Sequence, residues 1–128
     1  MSKKLLLSLV LLFLCSYTFP RLVAAQAVDT EWVRVYNGPG RDTDSSYAVA
    51  VDASGNVFVS GTSYNSENSY DYATIKYYPN GDTAWVRIYD SPGNGFDPVN
   101  GMVLDKNNNV YVTGWSSTIK YDAYGNLV

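Results

Sequence analysis

The sequence predicts an all-β fold made of a repeated, four-stranded antiparallel sheet, and three observations predict it. A block of sequence recurs 53 residues after its first copy, each copy holds four short strand-like segments, and no segment after residue 28 has a helical period. The 12 tyrosines support this prediction, because aromatic and β-branched side chains favour strands. A block that recurs in this way is one structural unit, which buries its faces against its neighbours.

The N-terminal residues 1–25 predict a secretory signal peptide, which is helical and precedes the folded part. Lysines at positions 3 and 4 form a basic start, an apolar run covers residues 5–14, and small residues allow cleavage after Ala25 or Ala27. A membrane anchor is the alternative, but a bilayer core takes roughly twenty apolar residues. We therefore expect an exported chain that is secreted, periplasmic or on the cell surface, with no membrane association after cleavage.

The composition excludes several kinds of chemistry. The only cysteine, Cys15, lies in the predicted signal peptide, and Leu14 before it argues against the alternative of a lipoprotein signal. The chain has no histidine, which removes the commonest proton shuttle and the commonest ligand of transition metals. A net charge of −3 without charge runs indicates no nucleic-acid partner. We expect no catalytic residues, no cofactor and no metal ion, and the ligand stays open.

The repeat consists of four segment pairs. Segment 32–36, Trp-Val-Arg-Val-Tyr, recurs 53 residues later as Trp-Val-Arg-Ile-Tyr, and the next two segments recur at the same spacing. The fourth recurs after 44 residues, so the second copy lacks nine residues of the polar loop at 63–71, a change that a loop tolerates and a strand does not. The other pairs are 48–52 with 101–105, 56–61 with 109–114, and 74–77 with 118–121.

Each copy reads as four strands joined by tight turns. Alternation at 32–36, small apolar residues at 48–51, aromatic and β-branched residues at 56–60, and the segment 72–78 are the four strand signals. Between the second and third strands, Asp52 and Gly55 are typical of a tight hairpin.

The second copy of this turn replaces the glycine. Asn108 stands where Gly55 stood, and asparagine is the next-best residue for left-handed φ. A second kind of hairpin, at 78–82, leads into Trp85 and returns at 121–126. We expect both turns to survive in both copies.

Four antiparallel strands in a unit of about fifty residues are typical of a β-propeller blade. We therefore predict a partial propeller over residues 28–128, with repeats at about 32–84 and 85–128. The sequence stops where the pattern predicts another tryptophan, and propellers use about four to eight blades. We expect a fragment of a longer protein, and the alternative is a short chain that assembles with other copies or docks on a partner.

Residues 47–63 resemble the bacterial beta-propeller repeat called SBBP, whose core is an apolar strand, Asp-x-x-Gly-Asn, an aromatic strand and a Gly-Thr/Ser end. Residues 100–116 resemble it too, with Asn108 and Trp115 as departures. The resemblance implies exported or surface proteins that mostly lack an assigned activity, often in long chains with adhesion-like modules. It predicts fold better than function.

Two groups of side chains allow a ligand interpretation beside a structural one. Asp52, Ser54 and Asn56 alternate oxygens as a calcium loop does, but one carboxylate per turn favours plain hairpin chemistry. Asp42 and Asp44 are the better calcium pair, yet the equivalent stretch of the second copy keeps one acid.

The tryptophans form the second group. Trp32 and Trp85 could stack on sugars, although packing between blades is the preferred interpretation. Arg34 and Arg87, beside them, are expected to stack on aromatic rings or to pair with acids. Trp115 has no counterpart in the first copy, where Thr62 stands, and as a non-repeated aromatic residue beside the shortened loop it allows the interpretation of a binding surface.

The function predicted from the sequence is a non-catalytic, exported propeller module for surface interaction or scaffolding. Its partners would be further blades of the chain or other copies, and a surface glycan or protein. The alternative is the N-terminal part of an exported propeller enzyme, quinone-dependent or glycan-active, whose active site lies beyond residue 128. Pro79 argues against the quinone alternative, because it replaces the aspartate of the turn motif that such enzymes share.

Overall fold

In the described part of the chain, seven β-strands form two antiparallel sheets. The computed structural model describes residues 29–65, 69–93 and 95–128, so the predicted signal peptide lies outside the described residues. The first sheet has the order β1-β2-β3-β4 and the second the order β5-β6-β7. The strands are β1 (Asp44–Val51), β2 (Val57–Tyr64), β3 (Tyr70–Tyr77), β4 (Thr83–Tyr89), β5 (Val99–Leu104), β6 (Val110–Gly114) and β7 (Thr118–Tyr121).

The all-β prediction is confirmed. Within each sheet, every strand pairs antiparallel with the next one along the chain, in the meander that a propeller blade requires. Across the described parts of the chain, no helix is long and apolar enough to cross a bilayer.

The turns between strands fold as their sequences predict. The carboxylate of Asp52 accepts the backbone N–H groups of Ser54 and Asn56, both at 2.9 Å. Asp105 repeats this arrangement between β5 and β6, where Asn108 has a φ of 61° in place of the 80° of Gly55. An asparagine therefore takes over the left-handed position of a glycine without loss of the turn.

The hydrophobic core lies between the two sheets. One face of the first sheet carries Phe58, Tyr72 and Trp85, and these side chains pack on Val110 and Val112 of the second sheet. Phe58, Tyr72, Val110 and Val112 are each 0% exposed. Because side chains alternate along a strand, the other face of the first sheet carries the intervening residues, and we call it the open face. It includes Val49, Val51, Val59, Ile75 and Tyr77, as the register of the sheet shows.

One predicted strand is not formed. The sequence predicts a strand at 32–36 as at 85–89, and the second copy lies in β4, hydrogen-bonded to β3. Residues 32–36 do not form a β-strand in the structure, so this prediction is wrong for the first copy. The physical reason is the lack of a partner, since an extended segment becomes a strand only when another backbone pairs with it. The tryptophan strand of the second copy, β4, is therefore the last strand of the first sheet, although in the sequence it begins the second repeat.

Candidate functional site

Each tryptophan of the repeat packs against a glycine-containing turn that lies later in the chain: Trp32 on the turn with Gly81, and Trp85 on the turn with Gly125. The indole nitrogen of Trp32 donates to the carbonyl of Pro79 at 3.1 Å, and its ring lies 5.8 Å from that of Tyr77. A Cβ added to Gly81 would fall 2.8 Å from the Trp32 ring. Glycine is therefore required at this turn by the close approach of the indole as well as by its φ of 84°.

The second copy reproduces these contacts. Trp85 donates to the carbonyl of Ala123 at 3.4 Å and lies 6.1 Å from Tyr121, and a Cβ on Gly125 would fall 2.9 Å from its ring. The packing interpretation of both tryptophans is confirmed, because each ring is used in a contact between units. Trp85 is only 9% exposed.

The arginines beside the tryptophans make the two kinds of contact predicted for them, an ion pair with an acid and a stack on an aromatic ring. Arg34 forms an ion pair with Asp82 at 3.6 Å. Arg87 stacks over the ring of Trp85 at 5.7 Å and donates to the carbonyl of Gly125 at 2.6 Å. In both copies the guanidinium fixes the tryptophan segment to the glycine turn.

A cavity of about 410 Å³ lies on the open face, beneath the Trp32 segment. Its walls come from the sheet and from the segment laid across it, and they include Trp32, Val59, Gly61, Ala73 and Tyr77.

The second sheet shows what such a cavity accepts. The residues equivalent to Gly61 and Ala73 are Gly114 and Ser117, and the ring of Tyr72 fills the space between them. The Tyr72 hydroxyl donates to the carbonyl of Ser117 at 3.0 Å. The second repeat therefore has a socket at the equivalent position, and Tyr72 of the first sheet fills it. The cavity in the first repeat is the same socket without a side chain in it.

Valines on the open face of the first sheet are more exposed than the equivalent residues of the second sheet, whose socket is filled. Val112 is fully buried, whereas its equivalent Val59 is half-buried, and Val49 and Val51 on the same face are 69% and 61% exposed. The equivalents of these two valines, Met102 and Leu104, pack against the core. The open face thus lacks a neighbour that its own repeat pattern provides elsewhere.

A family model described as a beta-propeller repeat, SBBP, matches residues 31–67 and 97–118. Over these two stretches the chain is therefore similar to SBBP beta-propeller repeats. The resemblance drawn from the sequence is confirmed; the first matched stretch covers β1 and β2 of the first sheet, and the second covers β5 and β6 of the second sheet. No curated protein matches the chain.

The carboxylates of the aspartates in the β1–β2 and β5–β6 turns accept hydrogen bonds from residues of the same turn. The two carboxylate oxygens of Asp52 accept hydrogen bonds from Ser54 and Asn56, including the Asn56 side chain at 2.8 Å. Burial opposes ionisation of Asp52, but these hydrogen bonds outweigh it and lower its pKa. The hairpin interpretation of these residues is confirmed.

The acids proposed as a calcium pair have separate roles. Asp42 accepts the hydroxyl and backbone N–H of Thr43, whereas Asp44 accepts the N–H of Gly38 at 2.8 Å. Within residues 29–65, 69–93 and 95–128, no three His, Cys, Asp or Glu side chains are close enough to share a metal ion.

A buried carboxylate organises the loops of the second repeat. Asp97 is 2% exposed and accepts the hydroxyls of Ser91 and Ser116. Burial alone would raise its pKa, but the hydrogen bonds from Ser116 and Ser91 lower it. The carboxylate therefore joins the loop before β5 to the loop after β6.

Trp115 is exposed, as a binding residue requires. It is 73% exposed and lies edge-to-face with Phe96 at 5.8 Å. Sequence reasoning missed Phe96, which also has no aromatic counterpart, since Thr43 stands at its place in the first repeat. Comparing the two copies position by position would have found it.

Proposed function

We propose that this chain is a non-catalytic, exported propeller module for surface interaction or scaffolding, whose open face receives a further blade. The observation that carries the proposal is the correspondence between the cavity lined by Gly61 and Ala73 and the socket that holds Tyr72. A further blade, from the same protein or from another copy, has the form and the side chains to fill it.

The energetics favour a neighbour on this face. Val49, Val51 and Ile88 are exposed there, and covering apolar surface is worth about 25 cal/mol per Å². The unpaired backbone of the segment 32–36 is a second reason, because strand edges in water invite pairing with another strand. A sheet that packs here can also pair with that segment, as β3 pairs with the tryptophan strand of the second copy.

Export and the absence of catalysis rest on sequence and on side-chain engagement. The predicted signal peptide supports export, and a chain without histidine offers few proton-transfer groups. The carboxylates of Asp52, Asp97, Asp105 and Asp122 are each engaged by hydrogen bonds from their own loops, which supports a structural role for them.

Photo-crosslinking from the open face tests the proposal. A photoreactive amino acid at Val49 in the natural host is expected to capture a propeller blade, identified by mass spectrometry of the crosslinked peptide. The matched control is the same probe at Tyr124, which is 79% exposed but lies in a turn, and it should not capture a blade. Capture at Val49 of a protein without propeller repeats would contradict the proposal.

Two further measurements address the rest of the proposal. The gene sequence downstream of codon 128 shows whether blades follow in the same protein. Release of sugars from glycans, or reduction of a quinone dye, by the exported protein would favour the enzyme alternative.

A further inference from the structure

Four aromatic rings form a continuous row across the two sheets. We define the aromatic row as Tyr64, Tyr70, Phe96 and Trp115. Tyr64 lies 5.1 Å from Tyr70, Tyr70 lies 5.2 Å from Phe96, and Phe96 lies 5.8 Å from Trp115, all edge-to-face. The row runs from the half-buried tyrosines to the most exposed rings, Phe96 at 55% and Trp115 at 73%.

The exposed end of the row is not needed for the blade. In the first repeat Thr43 and Thr62 stand where Phe96 and Trp115 stand, and the sheet there forms with the same strand order. Rings that one copy of the fold lacks, and that the other copy leaves largely exposed to water, are not required for the sheet to form. Large exposed aromatic surface of this kind marks an interaction site.

The backbone beneath both exposed rings is held rigidly. Phe96 is followed by Asp97, whose backbone N–H donates to the carbonyl of Tyr70 at 2.9 Å. Trp115 is followed by Ser116, whose hydroxyl donates to the carboxylate of the same Asp97 at 2.5 Å. One buried carboxylate therefore fixes the segments that carry both rings, so binding loses little conformational entropy.

The row lies at the ends of strands rather than on a sheet face. Tyr64 is the last residue of β2, Tyr70 is the first of β3, and Trp115 follows the last residue of β6. A further blade packs on sheet faces, as the second sheet does on Phe58 and Tyr72. The row therefore lies at strand ends and not on the open face that a further blade is proposed to cover.

The charge around the row restricts the ligand. Asp71 is near enough to Asp90 and to Asp97 to interact electrostatically with each, and Asp71 and Asp97 directly follow two of the ring residues. The cation–π contacts of the described residues use Phe58, Trp85 and Tyr111, none of which belongs to the row. These aspartates disfavour anionic ligands, such as phosphates, nucleic acids and acidic polysaccharides, at the row.

We infer that the aromatic row is a binding surface for neutral polysaccharide, with Trp115 and Phe96 as the rings on which sugar units stack. A pyranose presents an apolar face of C–H groups that fits an exposed aromatic plane, and its hydroxyls stay in water or meet the polar loops. This inference rests on the proposed interaction function and names its ligand class.

The test measures binding of the full exported chain to cellulose, chitin, a β-1,3-glucan and mannan, with heparin as an anionic probe. We expect binding to at least one neutral polymer and not to heparin. The variants Trp115→Thr and Phe96→Thr introduce the residues of the first repeat, so the fold is retained. Each should weaken the dissociation constant for the bound polymer about tenfold, which corresponds to roughly 1.4 kcal/mol.

The control variant is Tyr124→Thr, which removes an equally exposed ring outside the row and should change the dissociation constant less than about twofold. Failure to bind any neutral polymer, or unchanged binding by Trp115→Thr, would overturn the inference. If Trp115→Thr instead changes the oligomeric mass on gel filtration, the row is a blade contact, and the inference also fails. The proposed function is judged separately, by the crosslinks from Val49.

Discussion

The ring of Trp85 lies so close to Gly125 that a Cβ on this glycine would fall 2.9 Å from the indole. The two residues belong to different sheets, since Trp85 is hydrogen-bonded into the first sheet and Gly125 lies in the turn that follows β7. The contact therefore joins the units, and it can be tested with single substitutions.

Gly125→Ala is expected to destabilise the protein more than Gly55→Ala. Both glycines have left-handed φ, 83° and 80°, so both variants carry the strain of about 1–2 kcal/mol that a Cβ brings there. At Gly55 the nearest atom, of Pro79, is 3.4 Å from the added Cβ, so no severe clash is added. Gly125→Ala should lose about 1–3 kcal/mol more, measured by urea unfolding. Equal losses would show that the indole contact does not matter.

Tyr72 is expected to contribute to the packing of the two sheets through its ring and through its hydroxyl. Tyr72→Phe keeps the ring and removes the hydrogen bond to the Ser117 carbonyl, so the free energy of unfolding should fall by about 0.5–1.5 kcal/mol. Tyr72→Ala empties the socket and should lower it by about 3–5 kcal/mol. Tyr124→Ala, at an exposed position, is the control and should stay within about 0.5 kcal/mol. A loss on Tyr72→Phe as large as that on Tyr72→Ala would contradict this division.

Stability is expected to fall in acid because of the aspartate turns. Hydrogen bonds from Asn109 and Asn126 lower the pKa values of Asp105 and Asp122 in the folded state. The stabilisation is present above the unfolded pKa of about 3.9 and is lost as the pH falls through the lower folded value. Asp71 acts oppositely, since burial raises its folded pKa and its contribution is lost as the pH rises.

Urea unfolding between neutral pH and pH 3 measures this dependence. In the double variant Asp105→Asn, Asp122→Asn the midpoint should be lower at neutral pH and should vary less with pH. A wild-type midpoint that stays constant down to pH 3 would contradict the role given to these carboxylates.

The left-handed position in the β5–β6 turn should be sensitive to side-chain type. Asn108 has a φ of 61°, so Asn108→Ala should cost about 1 kcal/mol, whereas Asn108→Gly should be neutral or stabilising. Asn107→Ala is the matched control, because Asn107 contributes only its backbone N–H to Asp105. Thermal melts of the three variants rank the effects, and a melting temperature of Asn108→Ala at or above that of the wild type would refute this.

Much of the fold could be predicted from the sequence, because the repeat reports it twice. The strands and the turns at Asp52 and Asp105 follow from local chemistry that acts within a few residues. The missing strand at 32–36 could not be foreseen, since pairing depends on a neighbouring backbone and not on the alternation of Trp, Arg and Tyr.

The candidate site was only partly predictable. Trp115 stood out because Thr62 replaces it in the first repeat. Its contact with Phe96, and the link of Tyr70 to that ring, arise from two loops and a strand end that meet in space. The cavity beneath Trp32 was also hidden, because its walls come from the open face of the sheet and from the segment laid across it, which only the folded structure brings together.

The seating of Trp32 and Trp85 also bears on how such arrays lengthen. Each tryptophan segment precedes, along the chain, the turn on which its ring rests, so the contact is made only between consecutive units. Recombination that duplicates one period of the gene, from whatever starting codon, therefore inserts a whole unit together with both of its junctions. Gene arrays of this kind can gain or lose units in single genetic events, and the tryptophan contact between consecutive units is kept each time.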